Sequence, residues 1–280
     1  MEPMMRRLAM AWVIVVAMAL GLCACGRDQA QPGEALPTTG SGPAARAAPE
    51  PAPVELADVI ERDPRYIIGI SYPPVAREHP GLARLLLDYA DAARAELMQS
   101  VAGLGAEPPT APYDLSLAFT EVVATPRLVT IAADGSSYTG GAHGNPLLAR
   151  FTWLSASDEQ LTAARLVPRP GDWQVVSDYV REELSTALSR RVESSGDAGE
   201  RGRLLQGGLQ MIEQGTTPEA GNFDQFEPVL DASGRIVAIR FVFPPYQVGP
   251  YSEGAQSVEV PAEVLLPVVA PGYRHLFEGG

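Results

Sequence analysis

A chain of 280 residues, 46% hydrophobic and 20% charged, carries enough apolar material for one or two globular units and is neither fibrous nor wholly disordered. Its net charge of −13 argues against a nucleic-acid partner, because binding to a phosphate backbone draws on clustered Lys and Arg. The same charge suits a cationic partner.

Arg6 and Arg7 precede an apolar run, 8–22, which ends in Leu22-Cys23-Ala24-Cys25. This is the layout of a secretion signal: a charged start, an apolar stretch and a cleavage site of small residues. The run is 15 residues long, whereas a helix that spans a bilayer needs about 20. Its last four residues resemble the lipobox of bacterial lipoproteins. The resemblance implies that 1–24 are removed and that Cys25 becomes the lipid-bearing first residue, anchored by two or more acyl chains. An uncleaved anchor is the alternative. Cys23 falls in the removed segment, so no internal disulfide is expected. Gly26 stands where an Asp commonly signals inner-membrane retention, which implies a periplasm-facing place at the outer membrane. Residues 26–53, rich in Pro, Ala, Gly, Ser and Thr, cannot bury enough to fold. With Cys25 they form an expected tether, with a root-mean-square reach of roughly 30 Å.

Beyond the tether, 66–72 (YIIGISY) reads as a strand, closed by Pro73 and Pro74. Between Pro80 and Val101 the residues Leu82, Leu86, Tyr89, Ala93, Leu97 and Val101 recur at three or four positions, which predicts one face of a helix. Residues 113–123 alternate, with Tyr113, Leu115, Leu117, Phe119 and Val123 on one side of a half-buried strand. Residues 127–133 read as its neighbour, running into a turn at Asp134-Gly135, and 151–154 as a short further strand. Asp172 is placed to cap a second helix carrying Trp173, Val176, Val180, Leu184, Leu188 and Val192 on one face. The charged, Gly-containing stretch 193–203 reads as a mobile connection. Residues 226–230, a turn at 231–234 and 236–243 predict a hairpin, whose second strand is apolar on both faces except for Arg240 and therefore central. Residues 258–260 and a short segment at 261–266 follow. The expected fold class is α+β: a mainly antiparallel sheet with two helices packed on it.

Two segments are unusually particular: 137–146 (SYTGGAHGNP) and 243–254 (FPPYQVGPYSEG). Together they resemble the RsiV-like extracytoplasmic domain of unknown function, which follows a region shared with the non-catalytic N-terminal part of PdaC-type peptidoglycan deacetylases. The resemblance runs from about 54 to 269 and includes Leu161, Leu166 and Trp173. It divides the chain into a PdaC-like region, 54–155, and an RsiV-like region, 156–280. Family members include an anti-sigma factor whose outer domain binds lysozyme. Only seven residues precede the apolar run, so no sigma-binding segment is expected. The chain ends soon after the family region, so no deacetylase activity is expected either.

The residues themselves offer little catalytic chemistry. His79, His143 and His275 lie far apart and lack metal-ligand spacing, so neither metal nor cofactor is expected. No nucleophile elbow or phosphate-binding loop occurs. Glu182 and Glu183, beside Arg181, read as a solvated helix face. In the first segment the glycines permit positive φ and His143 fixes the loop; the open alternative is that Tyr138, His143 and Asn145 line a binding surface. In the second, Tyr246, Tyr251 and Glu253 either plug the core edge or stand exposed to a partner. The expected function is a non-enzymatic envelope lipoprotein that binds lysozyme or another basic wall hydrolase; the alternative is a peptidoglycan-binding or weakly peptidoglycan-modifying module.

Overall fold

The structure, a computed structural model, describes residues 55–105, 109–194 and 196–280. The signal segment, Cys25 and the tether lie outside the described residues. Residues 51–280 form one compact unit, and its two hydrophobic cores draw on described residues from Leu56 to Phe277, so this unit carries its own interior.

The first core lies between a helix and a six-stranded sheet. β1 (Val59–Asp63) and β2 (Tyr66–Ser71) form an antiparallel hairpin whose tight turn is held by Asp63, which accepts from the Arg65 backbone at 2.9 Å. Pro73 and Pro74 end β2, and α1 (Pro80–Ala102) carries the chain across to β3 (Tyr113–Ala124), which lies parallel to β2. A helical crossover is what a parallel pair requires. β4 (Leu128–Tyr138), β5 (Asn145–Leu154) and β6 (Glu159–Gln160) then follow by antiparallel pairing, giving the order β1-β2-β3-β4-β5-β6. The apolar face expected of α1 is buried at Leu82, Leu86, Ala93, Leu97 and Val101. It packs on Leu115, Leu117, Phe119 and Ile131.

Tyr72 closes this core by stacking on Phe119, with ring centroids 4.9 Å apart. Burial, aided by the carboxylates of Asp91 and Asp58, pushes its phenol up to about 12 from an ordinary 10. Because the folded value is the higher, the stability this group contributes is complete below pH 10 and is lost as pH rises through about 12. Comparing phenolate absorbance titrations of the native chain and Tyr72→Phe should place the missing proton near pH 12; a loss near pH 10 would contradict the packing.

The second core is built from α2 (Ala163–Leu166), α3 (Trp173–Glu193), α4 (Ala198–Gly215), and a sheet of β7 (Phe226–Leu230), β8 (Ile236–Phe243) and β9 (Gln256–Pro261), closed by α5 (Ala262–Leu265). β8 is central, as its two apolar faces predict. Every apolar position predicted for α3 is buried. Trp173 stacks on Phe223 at 5.1 Å and meets Phe241 edge-on at 6.4 Å, anchoring the helix to the sheet.

The fold is thus mixed α+β, but with two sheets in place of one and a third long helix among the described residues. That helix, α4, replaces most of the mobile connection expected at 193–203. Asp197 starts it by accepting from Gly199 and Glu200 backbone N–H groups at 2.8 and 2.9 Å, and Leu205 and Ile212 pack it on the second core, which together sustain a helix despite its glycines. Asp172 does the opposite of what is expected. It occupies the position before α3 but makes no side-chain cap, because its carboxylate pairs with Arg169 at 2.6 Å. Asp134-Gly135 is not a turn; β4 runs straight through it, and β5 is longer than expected. β1 was not visible as a strand in the sequence. In β3 a bulge between Glu121 and Val123 switches faces, so Val123 packs on the second core and not beside Phe119.

A buried ionic link ties the two halves together. Arg150, on β5, donates to Glu227, on β7, at 2.5 Å, with both side chains under 10% exposed. The backbone N–H of Arg150 also donates to the Gln225 side chain at 2.7 Å, capping the free edge of β5.

Candidate functional site

The two particular loops meet in space. One is the β4–β5 connection. Tyr138 ends β4, and Gly140 and Gly141 follow with φ of 95° and 98°, a region closed to other residues at low cost. Their turn lifts His143 into solvent, and its Nδ1 lies 3.1 Å from the Gly144 carbonyl. The other loop leaves β8 at Pro244. Tyr246 takes a φ of 74°, unusual for a residue with a side chain, and its N–H donates to the Gly249 carbonyl at 2.9 Å. This loop is pinned from behind. The Gln247 amide donates to the carbonyls of Gly215 and Asn222, both at 2.9 Å, and any side chain at Gly215 would collide with the Gln247 carbonyl.

Three rings assemble where the loops touch. His143 stacks on Tyr251 with centroids 4.2 Å apart and planes inclined by 17°. Tyr246 leans on the same Tyr251 at 5.6 Å, and its hydroxyl lies 3.4 Å from His143 Nε2. Tyr251 is half-buried and donates to the Gly144 carbonyl at 3.3 Å. The tautomer with a proton on Nδ1 satisfies both ring contacts of the histidine: it donates to Gly144 and accepts from Tyr246. His143 thus bonds within its own loop while the residue stays exposed to solvent. Tyr246 is 55% exposed despite its size. The result is an aromatic platform whose members are hydrogen-bonded to loop backbone, with His143 and Tyr246 exposed.

The remaining expected site residues stand at its margins. Tyr138 donates to the Gly141 carbonyl at 3.3 Å and braces the glycine turn. Asn145 is exposed at the start of β5, opposite Ser137. Glu253 faces away, toward α3, where Arg191 pairs with it at 2.8 Å and Gln256 donates to it at 3.0 Å. That pair borders a largely apolar groove of about 360 Å³ between α3, α4 and the segment around Pro250. The groove escaped the sequence reading because α4 did; the spacing of Leu204, Gly208, Met211 and Ile212, which line it, was the signal that could have found it. Among the described residues no group of three or more His, Cys, Asp or Glu could hold a metal ion, and no helix is long and apolar enough to cross a membrane.

Residues 173–263, from the first residue of α3 to α5, match a known family. It is described as a protein of unknown function, DUF3298. The DUF3298 region holds Tyr246, Tyr251 and Glu253, whereas His143 comes from the sheet that precedes it, so the platform is completed from outside the matched segment. A DUF3298 family protein of Pseudomonas aeruginosa PAO1, known from its crystal structure, has the same fold over 80% of this chain and 94% of its own, with a TM-score of 0.51 and 18% identity. A second, from Bacteroides fragilis NCTC 9343, is similar over 77% of this chain and 88% of its own, with a TM-score of 0.46 and 15% identity. No curated protein matches the chain.

Proposed function

We propose that the domain is a non-catalytic binding module whose His143–Tyr246–Tyr251 platform receives a cationic protein, of which lysozyme or a similar basic wall hydrolase is the leading candidate. The observation that carries this reading is the convergence of the two loops into an exposed cluster of three rings. Tyrosines held in place offer a large contact at little entropic cost, and they are frequent among the residues that dominate binding energy. Their faces attract Arg and Lys. The surrounding domain adds a longer-range pull, since residues 55–280 hold 17 Arg against 30 Asp and Glu and so carry the whole net charge. The resemblance to the RsiV-like domain points the same way.

A lipid on Cys25 would tether this module to the membrane and leave it facing the periplasm, with its reach set by the Pro/Ala-rich tether. The second reading, a peptidoglycan module related to the PdaC-type N-terminal region, draws on the same exposed Tyr246, because a flat ring also suits a sugar face. Calorimetry of residues 51–280 with hen lysozyme separates the two. Saturable binding that weakens with added salt, and that Tyr246→Ala reduces by about tenfold or more while Ile60→Ser on β1 leaves it unchanged, supports the first. Retention on purified cell wall with no heat from lysozyme transfers the platform to the second.

A further inference from the structure

A separate cavity lies on the seam between the two halves. It measures about 390 Å³, within the lower part of the range that holds small organic ligands. Its walls come from three turns: Pro126 and Arg127 between β3 and β4, Leu154 and Glu159 at the β5–β6 turn, and Tyr273, His275 and Leu276 from the C-terminal segment. The lining is mainly apolar, supplied by Pro126, Leu154, Leu276 and the ring of Tyr273.

The rim holds one arginine, Arg127, one carboxylate, Glu159, and the imidazole of His275. Its one carboxylate, Glu159, is already neutralised by Arg165 at 2.6 Å, an arginine fixed further by the Gln160 carbonyl at 3.0 Å. Arg274, next to His275, is turned into its own segment, bonding the carbonyls of Val269 and Pro267. That leaves Arg127 and His275 at the opening, and neither side chain makes a hydrogen bond or ion pair among the described residues. The backbone that presents Arg127 is rigid: Thr125 accepts from the N–H groups of Arg127 and Leu128, and the Arg127 carbonyl accepts from Ser155 at 3.1 Å. An unpaired guanidinium beside an apolar hollow fits a carboxylate carried on a hydrocarbon body, with the chain excluded from water and the charge met in a bidentate fashion.

We propose that this seam cavity is a binding site for a medium-chain monocarboxylate, with Arg127 and His275 receiving the carboxylate and Leu154, Tyr273 and Leu276 the chain. The site is distinct from the aromatic platform and does not depend on the reading given for it. The test is a titration of residues 51–280 with sodium octanoate, followed by amide chemical shifts, with 1-octanol as the uncharged counterpart. Octanoate should shift the amides of Ala156 and Gly272, octanol should bind about tenfold more weakly, and Arg127→Gln should bring octanoate down to the octanol level. His275→Gln, at a second exposed position, should weaken octanoate in the same direction. Equal binding of octanol and octanoate, shifts centred on Gly208 and Val248 in the α3–α4 groove, or no shift at about 10 mM octanoate would each overturn the proposal.

Discussion

Glu227→Leu should lower the unfolding free energy by about 3–5 kcal/mol, the largest loss expected from any single charge in the domain. The reason is what it leaves behind. Arg150 is 8% exposed, and Glu227 is its one buried counter-charge; the other ionic contact, Asp134 at 3.0 Å, is half in solvent. Glu227 also takes a second guanidinium, from Arg240 at 3.2 Å, which in turn pairs with Glu259 on β9 at 2.6 Å. One carboxylate thus joins β5 of the first sheet to β7 and β8 of the second. Arg240 and Glu259 are exposed enough to find water when the link is cut, and Arg150 is not. Converting both ends, as in Arg150→Met with Glu227→Leu, should therefore recover much of the loss, since a matched apolar pair carries no stranded charge. Urea unfolding of the two single variants and the double one gives the coupling directly. Additive losses would mean that the pair contributes no more than its separate parts.

Gly135→Ala should cost about 1–3 kcal/mol, with Val worse than Ala, although the position lies in a regular strand and needs no unusual φ. A Cβ there would stand 2.0 Å from the Ser116 carbonyl oxygen and 2.9 Å from the Leu117 Cα. Both are backbone atoms of the paired strand, so relief requires β3 and β4 to part and not merely a side chain to turn. The contrasting substitution is Gly202→Ala in α4, which meets nothing within 4 Å and should stabilise by about 0.5–1 kcal/mol through helix propensity. Denaturation midpoints for the two, measured side by side, distinguish close backbone approach from a general intolerance of added bulk.

These two cases also show what could be read in the sequence and what could not. Periodicity was reliable where one element faces one core: the stripe from Leu82 to Val101, the stripe from Trp173 to Val192 and the two-sided apolar β8 all fold as their spacing predicts. It failed where a residue has two physical uses. Asp-Gly favours a tight turn, but at 134–135 the missing side chain serves close strand contact. Glycines at 199, 202, 207 and 208 disfavour a helix, yet the Asp197 cap and the close fit of Gly208 on Leu188 sustain one. The strand alternation through Val123 could not reveal a bulge, since an extra residue leaves no mark in composition. For the site, the residue types were legible and the convergence was not. His143 and Tyr246 are 103 positions apart, and only the packing of the two sheets brings them within reach. The ionic link through Glu227 and the seam cavity depend on the same pairing of sheets, so neither left a local trace.

The central claim is that a cationic protein docks on the three rings. Proton–nitrogen correlation spectra of residues 51–280 titrated with hen lysozyme test it most directly. Shifts should concentrate at His143, Gly144, Tyr246 and Tyr251 and fade as salt is raised. Shifts confined to other surfaces, such as Glu182 and Glu183 on α3, with these four unmoved, or no change at saturating lysozyme, would contradict it.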